Sequence, residues 1–265
     1  MIHAESLVAA AAVAGGWLAA HRAAGVAPAP GRAAALGLGL AAGLLALNGP
    51  VHDLAERSHF SVHMVQHLLL TLAAPPLLLA GTPPWLSDRL LAAVLRRPGT
   101  ALARALTRPV PALAAYGAAL VLWHLPGPYG AALESHAWHA VEHAVLVGAA
   151  VLGWWPVLGP SRLVPPLPYA AQLLYLFAFG APMTVVAAMI TGADTVLYPF
   201  YAAAAPAAGL DALADQRLGG VIMWVPAGVV PLVAFTVVFF RWAAAESEDD
   251  ETEAPACAEE APSRG

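Results

Sequence analysis

The sequence predicts an all-α membrane protein, a polytopic bundle of about seven transmembrane helices. Hydrophobic residues make up 60% of the 265 residues and charged residues only 11%, whereas a soluble domain carries about 25% charged residues. Apolar runs close to the length of a bilayer span recur along the chain, without the alternation of barrel strands. Because a backbone in lipid must satisfy its own hydrogen bonds, we expect these runs to be helices.

Seven apolar runs are candidates for spans. The first begins with Glu5 and ends with His21, which Arg22 follows, the reverse of the flanks of a signal peptide, so we expect a retained span. The seven runs are residues 5–21, 33–49, 61–80, 110–124, 138–158, 169–191 and 219–242.

The arginines predict the orientation of the bundle. The chain has twelve Arg and no Lys, and ten of the twelve lie in alternate loops and in the C-terminal tail, against Arg57 and Arg217 on the opposite side. Positive residues favour the cytoplasmic side. We therefore expect an outward N-terminus, a cytoplasmic C-terminus and a multi-pass protein of a bacterial-type plasma membrane.

The chain divides into a transmembrane bundle (residues 1–245) and an acidic tail (246–265) that we expect to be disordered and cytoplasmic. Within the bundle, residues 82–108 are expected to include an interfacial amphipathic helix. Its apolar residues at helical spacing, and the arginines beside them, are Leu86, Leu90, Leu91, Val94, Leu95, Arg89, Arg96 and Arg97. The one cysteine, Cys257, excludes a disulfide framework and covalent haem attachment, and no feature indicates nucleic-acid binding.

Histidine is the residue type that most directly indicates a function. Eight of the ten histidines lie at the ends of the apolar runs that the arginines place outside. They are His52, His59, His63, His67, His124, His136, His139 and His143. Imidazole is the commonest protein metal ligand and is costly to bury in lipid without a partner, so this placement indicates a metal site.

Two pairs of histidines have the spacing of metal ligands on a helix. His63 and His67 are four residues apart, and so are His139 and His143. A four-residue step turns a helix by only about 40°, so each pair shares one face. Both runs enter the membrane from the outer side, which puts the pairs at the same depth. The sequence predicts that these four imidazoles hold a metal ion.

Other residues are weaker candidates. His59, His124 and His136 are auxiliary ligand candidates, and Met64 and Asp215 could also contribute, although Asp215 could instead cap the seventh span. For His3, His21 and His52 we expect an ordinary bond to a carbonyl or to water. Glu142 could orient an imidazole, but it points about 100° away from His143 on the helix.

The ligand types favour copper. Carboxylates are few on the outer side, which disfavours Mg²⁺ and Ca²⁺. Imidazole suits copper and zinc, and thioether ligands shift the preference toward Cu(I). We therefore expect copper as Cu(I), with zinc or haem b as alternatives.

Several motifs resemble the CtaG-type family of polytopic cytochrome c oxidase assembly factors. They lie in order within residues 45–242 and include Ser61-x-His63-Met64-x-Gln66-His67, Ala74-Pro75-Pro76-Leu77, Trp123-His124-x-Pro126, His139 with Glu142-His143, and Asp215-Gln216 with Gly219-Gly220. The resemblance implies a non-enzymatic factor that matures haem–copper oxidases by delivering copper. It implies terminal oxidase subunits as partners, and an extracytoplasmic copper donor as a further one.

Other functions stay open at this point. Two histidines from different helices could ligate a b-type haem in a redox protein. A His-ligated membrane metalloenzyme would need a general base, for which Glu142 and Asp215 are the candidates. Copper import is disfavoured because the cytoplasmic half offers His21 and no matching set of ligands.

Overall fold

The computed structural model describes residues 3–94 and 97–259, and within them the chain is helical and contains no strand, which confirms the all-α prediction. The α-helices are α1 (Ala4–Ala24), α2 (Pro30–Leu47), α3 (Gly49–Arg57), α4 (Phe60–Leu68), α5 (Ala74–Gly81), α6 (Pro84–Val94), α7 (Arg97–Leu106), α8 (Pro109–His124), α9 (Pro126–Glu134), α10 (His136–Leu158), α11 (Tyr169–Phe179), α12 (Ala181–Thr191), α13 (Pro199–Ala204) and α14 (Ala212–Glu259). A π-helical turn (Leu69–Ala73) joins α4 to α5, and a 3-10 turn (Ala205–Ala208) follows α13.

Six helical segments are long and apolar enough to cross a membrane, and they match six of the seven predicted spans. They are Ala4–Ala24, Pro30–Arg57, Phe60–Gly81, His136–Leu158, Tyr169–Thr191 and Ala212–Ser247. The remaining prediction, residues 110–124, falls on α8, which qualifies only together with α9 as a pair bent by 70°. The outward N-terminus stays a prediction.

The segment predicted to hold an interfacial helix contains two helices, α6 and α7. Leu86 on α6 is buried, whereas Leu90 is exposed. Leu95 and Arg96 lie outside the described residues. The backbone of α14 continues as helix to Glu259, where the sequence predicts a disordered tail from residue 246, and residues 260–265 lie outside the described residues. The division into a bundle and a tail stays a prediction.

The span made by α4, the π-helical turn and α5 is the central one. In its most apolar window 61% of the residues are buried, against 11% for α1. Pro75 has no N–H to donate to the carbonyl of Thr71, which a regular helix would use. The indole Nε1–H of Trp154 on α10 donates to that carbonyl at 3.0 Å. The proline therefore opens a backbone acceptor that fastens the central span to α10.

Close approach of α5 and α2 depends on a glycine. A Cβ atom at Gly81 would lie 2.6 Å from the backbone nitrogen of Leu36. A third helix, α1, also contacts this glycine, because Trp17 Nε1 donates to the carbonyl oxygen of Gly81 at 3.1 Å. Gly81 therefore lets α1, α2 and α5 meet at one point.

Gly81→Ala is expected to lower the free energy of unfolding by about 1–3 kcal/mol, because the added methyl group overpacks a backbone contact. The matched control is Gly37→Ala on α2, whose added Cβ meets no described atom within 4 Å. The control should be neutral or slightly stabilising. Unfolding in detergent measures both variants. Equal stability of the two would contradict the packing role.

Candidate metal centre

Four side chains from two helices converge on one point inside the bundle. His63 and His67 come from α4, and Glu142 and His143 from α10. Each offers one ligand atom, and these atoms all lie within 4.8 Å of one another. All four side chains are buried. They are called the inner group below.

The inner group contains three of the four histidines predicted as ligands. That the four imidazoles hold a metal ion stays a prediction. The carboxylate of Glu142 completes the group in the place where the sequence prediction had His139. The inner group therefore offers three imidazoles and one carboxylate to an ion.

The position of α4 depends on Asp215. Its carboxylate accepts the backbone N–H of Phe60 at 2.7 Å and that of Ser61 at 3.4 Å. These are N–H groups of the first turn of α4, which the helix itself leaves without acceptors. Asp215 thus caps α4 from α14, and it lies apart from the inner group for which it was a possible ligand.

The contact with Tyr201 determines which ring nitrogen of His63 carries the proton. The hydroxyl of Tyr201 donates to the carbonyl of Ala55 at 2.6 Å, and the Tyr201 oxygen lies 2.9 Å from His63 Nδ1. Desolvation by burial raises the pKa of Tyr201 above its ordinary range, so the hydroxyl keeps its proton. His63 Nδ1 therefore donates, and its Nε2 keeps a lone pair for an ion.

Two nitrogens in the inner group are already near the separation that an ion would impose. His63 Nε2 and His67 Nε2 are 2.9 Å apart. Two nitrogens bound at about 2.0–2.1 Å to one tetrahedral ion lie about 3.3 Å apart. Because His63 Nε2 accepts from His67 Nε2 in this contact, an ion held by both nitrogens would require the His67 proton to move to Nδ1 and the two nitrogens to separate by a few tenths of an ångström.

The inner group also contains polar atoms that the protein itself does not satisfy. Within residues 3–94 and 97–259, His67 Nδ1, His143 Nε2 and both carboxylate oxygens of Glu142 are buried without a hydrogen-bond partner. Burying such groups unpaired is costly. The donor types and the unpaired atoms both fit a bound cation that would satisfy them.

His139 lies beside the inner group. Its Nδ1 is 2.7 Å from Glu56 Oε1, and its Nε2 is 4.0 Å from Glu142 Oε2. Its ring centroid is 4.2 Å from that of His143 and 5.4 Å from that of His63. A carboxylate that accepts one ring N–H leaves the other ring nitrogen free to ligate. His139 is therefore placed to join the inner group after a small movement.

The auxiliary candidates are spread around this centre. His124 packs its ring 5.4 Å from that of His67, and its Nδ1 lies 2.7 Å from the carbonyl of Leu120. His59 Nδ1 instead lies 2.8 Å from the hydroxyl of Ser58. His59 is thus outside the inner group, and His124 borders it.

His136 and Met64 lie away from the inner group. His136 is 72% exposed, and its Nε2 is 3.9 Å from Glu5 Oε1. The thioether side chain of Met64 packs over Gly219, where a Cβ would lie 3.1 Å from Met64 Cγ. Met64 therefore fills the apolar core, and the thioether ligand expected for Cu(I) is not part of the inner group as the structure describes it.

A cavity of about 380 Å³ opens beside His139 and His143. Its walls include His3, Glu5 and His52 as well as apolar residues of α1 and α10. The cavity therefore borders the inner group at His143.

Sequence reasoning missed Glu142 as a member of the inner group, although a signal was present. The buried residues of α10 follow the helical repeat in the order His139, Glu142, His143, Leu146 and Ala150. This stripe places the carboxylate on the same face as both histidines. The three-residue spacing between His139 and Glu142 was the signal that both side chains share one face of α10.

Other neighbours could not be found from the sequence. Tyr201 lies on the short helix α13, where no periodicity marks it. Where the sequence predicts a bond to a carbonyl or to water, His52 Nδ1 lies 3.1 Å from Gln66 Nε2, and His3 Nδ1 lies 3.3 Å from Glu5 Oε1. The expectation for His21 agrees with the structure, since its Nδ1 lies 2.9 Å from the carbonyl of Trp17.

Curated relatives of this chain are mycobacterial. It is 27% identical over 201 residues to an uncharacterised protein of Mycobacterium bovis and to one of Mycobacterium tuberculosis. Each match covers 69% of this chain and 30% of the relative, so the chain spans less than a third of the length of these proteins. No solved structure gives a significant match.

A protein-family model matches most of the chain. The family is described as cytochrome c oxidase caa3 assembly factor, and the match extends over residues 13–245. This range includes the central span, α10, the inner group and the cap at Asp215. The match confirms the resemblance inferred from the motifs, and the chain therefore belongs to the cytochrome c oxidase caa3 assembly factor family.

Proposed function

We propose that this protein holds copper, as Cu(I), at the inner group and delivers it to a cytochrome c oxidase during assembly. Membership of the assembly-factor family supports the role in oxidase biogenesis. In this proposal the protein is not an enzyme. Its partners are terminal oxidase subunits in a bacterial-type plasma membrane and an extracytoplasmic copper donor, and the inner group lies near the outer face.

The observation that carries the proposal is the convergence of four buried donors, several of whose atoms have no partner among the described residues. An ion bound there would satisfy those atoms. A monovalent cation beside one carboxylate would also leave the buried site without net charge, which lowers the cost of burial. This charge balance favours Cu(I) over a divalent ion.

Copper delivery requires that ligands be exchanged one at a time. In this proposal the ring of His67 turns between His63 and the other donors, and His139, beside the inner group, serves as a further donor. Ligand exchange of this kind would let an ion leave stepwise toward a partner. Zinc is the alternative ion, because three imidazoles and a carboxylate suit it as well.

Haem b does not fit the pair formed by His63 and His67. Axial imidazoles lie on opposite sides of a haem iron, separated by two metal–nitrogen bonds and by the plane of the ring. His63 Nε2 and His67 Nε2 are 2.9 Å apart and come from one helical face. A haem would have to separate these rings, whereas a small ion need not.

The test is copper retention by purified protein. Loaded with Cu(I) under reducing conditions and then passed through a desalting column, the unchanged chain is expected to keep about one copper per protein. A variant with His63, His67, His139 and His143 all changed to Ala should keep none above background. Metal analysis of the protein fraction gives the ratio.

The matched control is His21→Ala, which removes a buried histidine outside the centre. It should retain copper like the unchanged chain. Equal retention by the fourfold variant and the unchanged chain would refute the proposal. If the protein retains zinc in preference to copper in a competition experiment, zinc replaces copper as the proposed ion. A Soret band in the purified protein would favour haem b.

A further inference from the structure

We propose a second copper-binding position, the outer group, formed by His3, His52, Glu56 and His139. Its three histidines lie on the wall of the cavity beside the inner group. Ions reach the inner group through it. The inference rests on the proposed function for the identity of the ion, and it adds a site and a path to that function.

The centre of the outer group is the carboxylate of Glu56. Its Oε1 lies 2.7 Å from His139 Nδ1 and 3.4 Å from His52 Nε2. The side chains of His52 and His139 are only 6% and 4% exposed, while that of Glu56 is 33% exposed. Two buried imidazoles therefore face one carboxylate that water can still reach.

His3 adds a third imidazole. Its ring centroid lies 4.2 Å from that of His52, and its Nε2 is buried without a hydrogen-bond partner among residues 3–94 and 97–259. Its backbone N–H donates to Asn48 Oδ1 at 2.8 Å, which holds the start of α1 against the end of α2. The unpaired nitrogen of His3 is therefore kept next to His52.

The outer group thus repeats the donor set of the inner group, three imidazoles and one carboxylate. Imidazole and carboxylate together suit copper and zinc. Binding an ion replaces the hydrogen bond from His139 Nδ1 to Glu56 Oε1, and the 3.4 Å contact of His52 Nε2 with that oxygen, with metal–nitrogen and metal–oxygen bonds. Each ring keeps its one proton, which moves to the opposite nitrogen. On His139 this is Nε2, and on His52 it is Nδ1, to which the amide of Gln66 then turns its oxygen in place of the Nε2 that now lies 3.1 Å away.

His139 connects the two groups. Its Nδ1 faces Glu56 in the outer group, while its Nε2 lies 4.0 Å from Glu142 Oε2 in the inner group. Its ring packs 4.2 Å from that of His143. An ion held on one nitrogen of this imidazole can therefore pass to donors next to the other, without crossing a gap that lacks ligands.

Loading the protein with Cu(II), without Cu(I), tests the outer group. Cu(II) is paramagnetic, and its electron paramagnetic resonance spectrum shows how many nitrogens are bound. The variant His63→Ala/His67→Ala/His143→Ala, in nanodiscs, is expected to bind one Cu(II) with an electron paramagnetic resonance spectrum of imidazole coordination. Adding His52→Ala and Glu56→Gln should weaken that binding by more than about tenfold. The matched control, His59→Ala in the same background, should leave it unchanged.

A second measurement avoids dependence on the triple variant. In the otherwise unchanged chain, His52→Ala/Glu56→Gln is expected to lower the Cu(II) stoichiometry from two to one. It should also slow the loading of Cu(I) into the inner group, without changing how much is retained at equilibrium. Unchanged stoichiometry would overturn the outer group, and an unchanged loading rate would overturn the path.

These results separate the two proposals. If the variant His63→Ala/His67→Ala/His143→Ala binds no Cu(II) while the unchanged chain still retains Cu(I), the second position alone is overturned. The reverse result, in which the outer group binds Cu(II) and the inner group retains no Cu(I), overturns the proposed delivery function and leaves the outer position established as a metal site.

Discussion

Glu142→Gln is expected to stabilise the metal-free protein and, at the same time, to weaken its hold on copper by at least about tenfold. Both carboxylate oxygens of Glu142 are buried without a hydrogen-bond partner among the described residues. Replacing a buried unpaired carboxylate with a neutral amide should raise the free energy of unfolding by about 1–3 kcal/mol. The amide N–H can also donate to the free Nε2 of His139.

The variant is expected to change stability and copper affinity in opposite directions, so two measurements test it. Unfolding in detergent without metal measures stability, and a competition titration with a Cu(I) chelator measures affinity. Glu134→Gln, at an exposed position on α9, is the control for loss of a negative charge and should alter neither quantity appreciably. A variant at Glu142 that is less stable and binds copper normally would show that the carboxylate has a structural role only.

Tyr201→Phe is the second change with a large expected effect. The hydroxyl accepts from His63 Nδ1 and donates to the carbonyl of Ala55. Without it, the ring of His63 loses the contact that sets its tautomer and orientation. Copper affinity should fall about 10–100-fold, and the free energy of unfolding should fall by about 1–3 kcal/mol.

Tyr198→Phe is the matched control for this variant. The Tyr198 hydroxyl is also buried and donates at 2.9 Å to a backbone carbonyl, that of His124, but it makes no hydrogen bond to a member of the inner group. Its loss should lower stability to a similar extent and leave copper affinity within about threefold of the unchanged chain. Similar affinities of the two tyrosine variants would contradict the orienting role of Tyr201.

The spans were predictable because the bilayer imposes a length and a composition on each of them. Residues 61–80 and 138–158 lie entirely within the helical segments Phe60–Gly81 and His136–Leu158. The prediction was less accurate for residues 110–124, where Pro126 follows α8 and the chain bends by 70° into α9. Hydropathy alone does not report the direction of a helix after such a break.

The histidine pairs were also predictable, since a four-residue step puts two side chains on one face of any regular helix. Which other side chains join the histidine pairs was less predictable. Glu142 shares a buried stripe with His139, yet only the packing of α10 against α4 decides which members of that stripe reach His63 and His67. Sequence periodicity orders residues on one helix and carries no information about the facing one.

The sequence by itself determined an all-helical membrane protein, the helices that carry His63, His67, His139 and His143, and a resemblance to the oxidase assembly factors. These depend on composition, on helical repeat and on local motifs. Only the tertiary structure decided that Glu142 joins the inner group, that Tyr201 orients His63, and that residues as distant as His3 and Glu56 lie near His139. Such contacts depend on how helices far apart in the chain pack together, and the local physics of any one segment does not specify them.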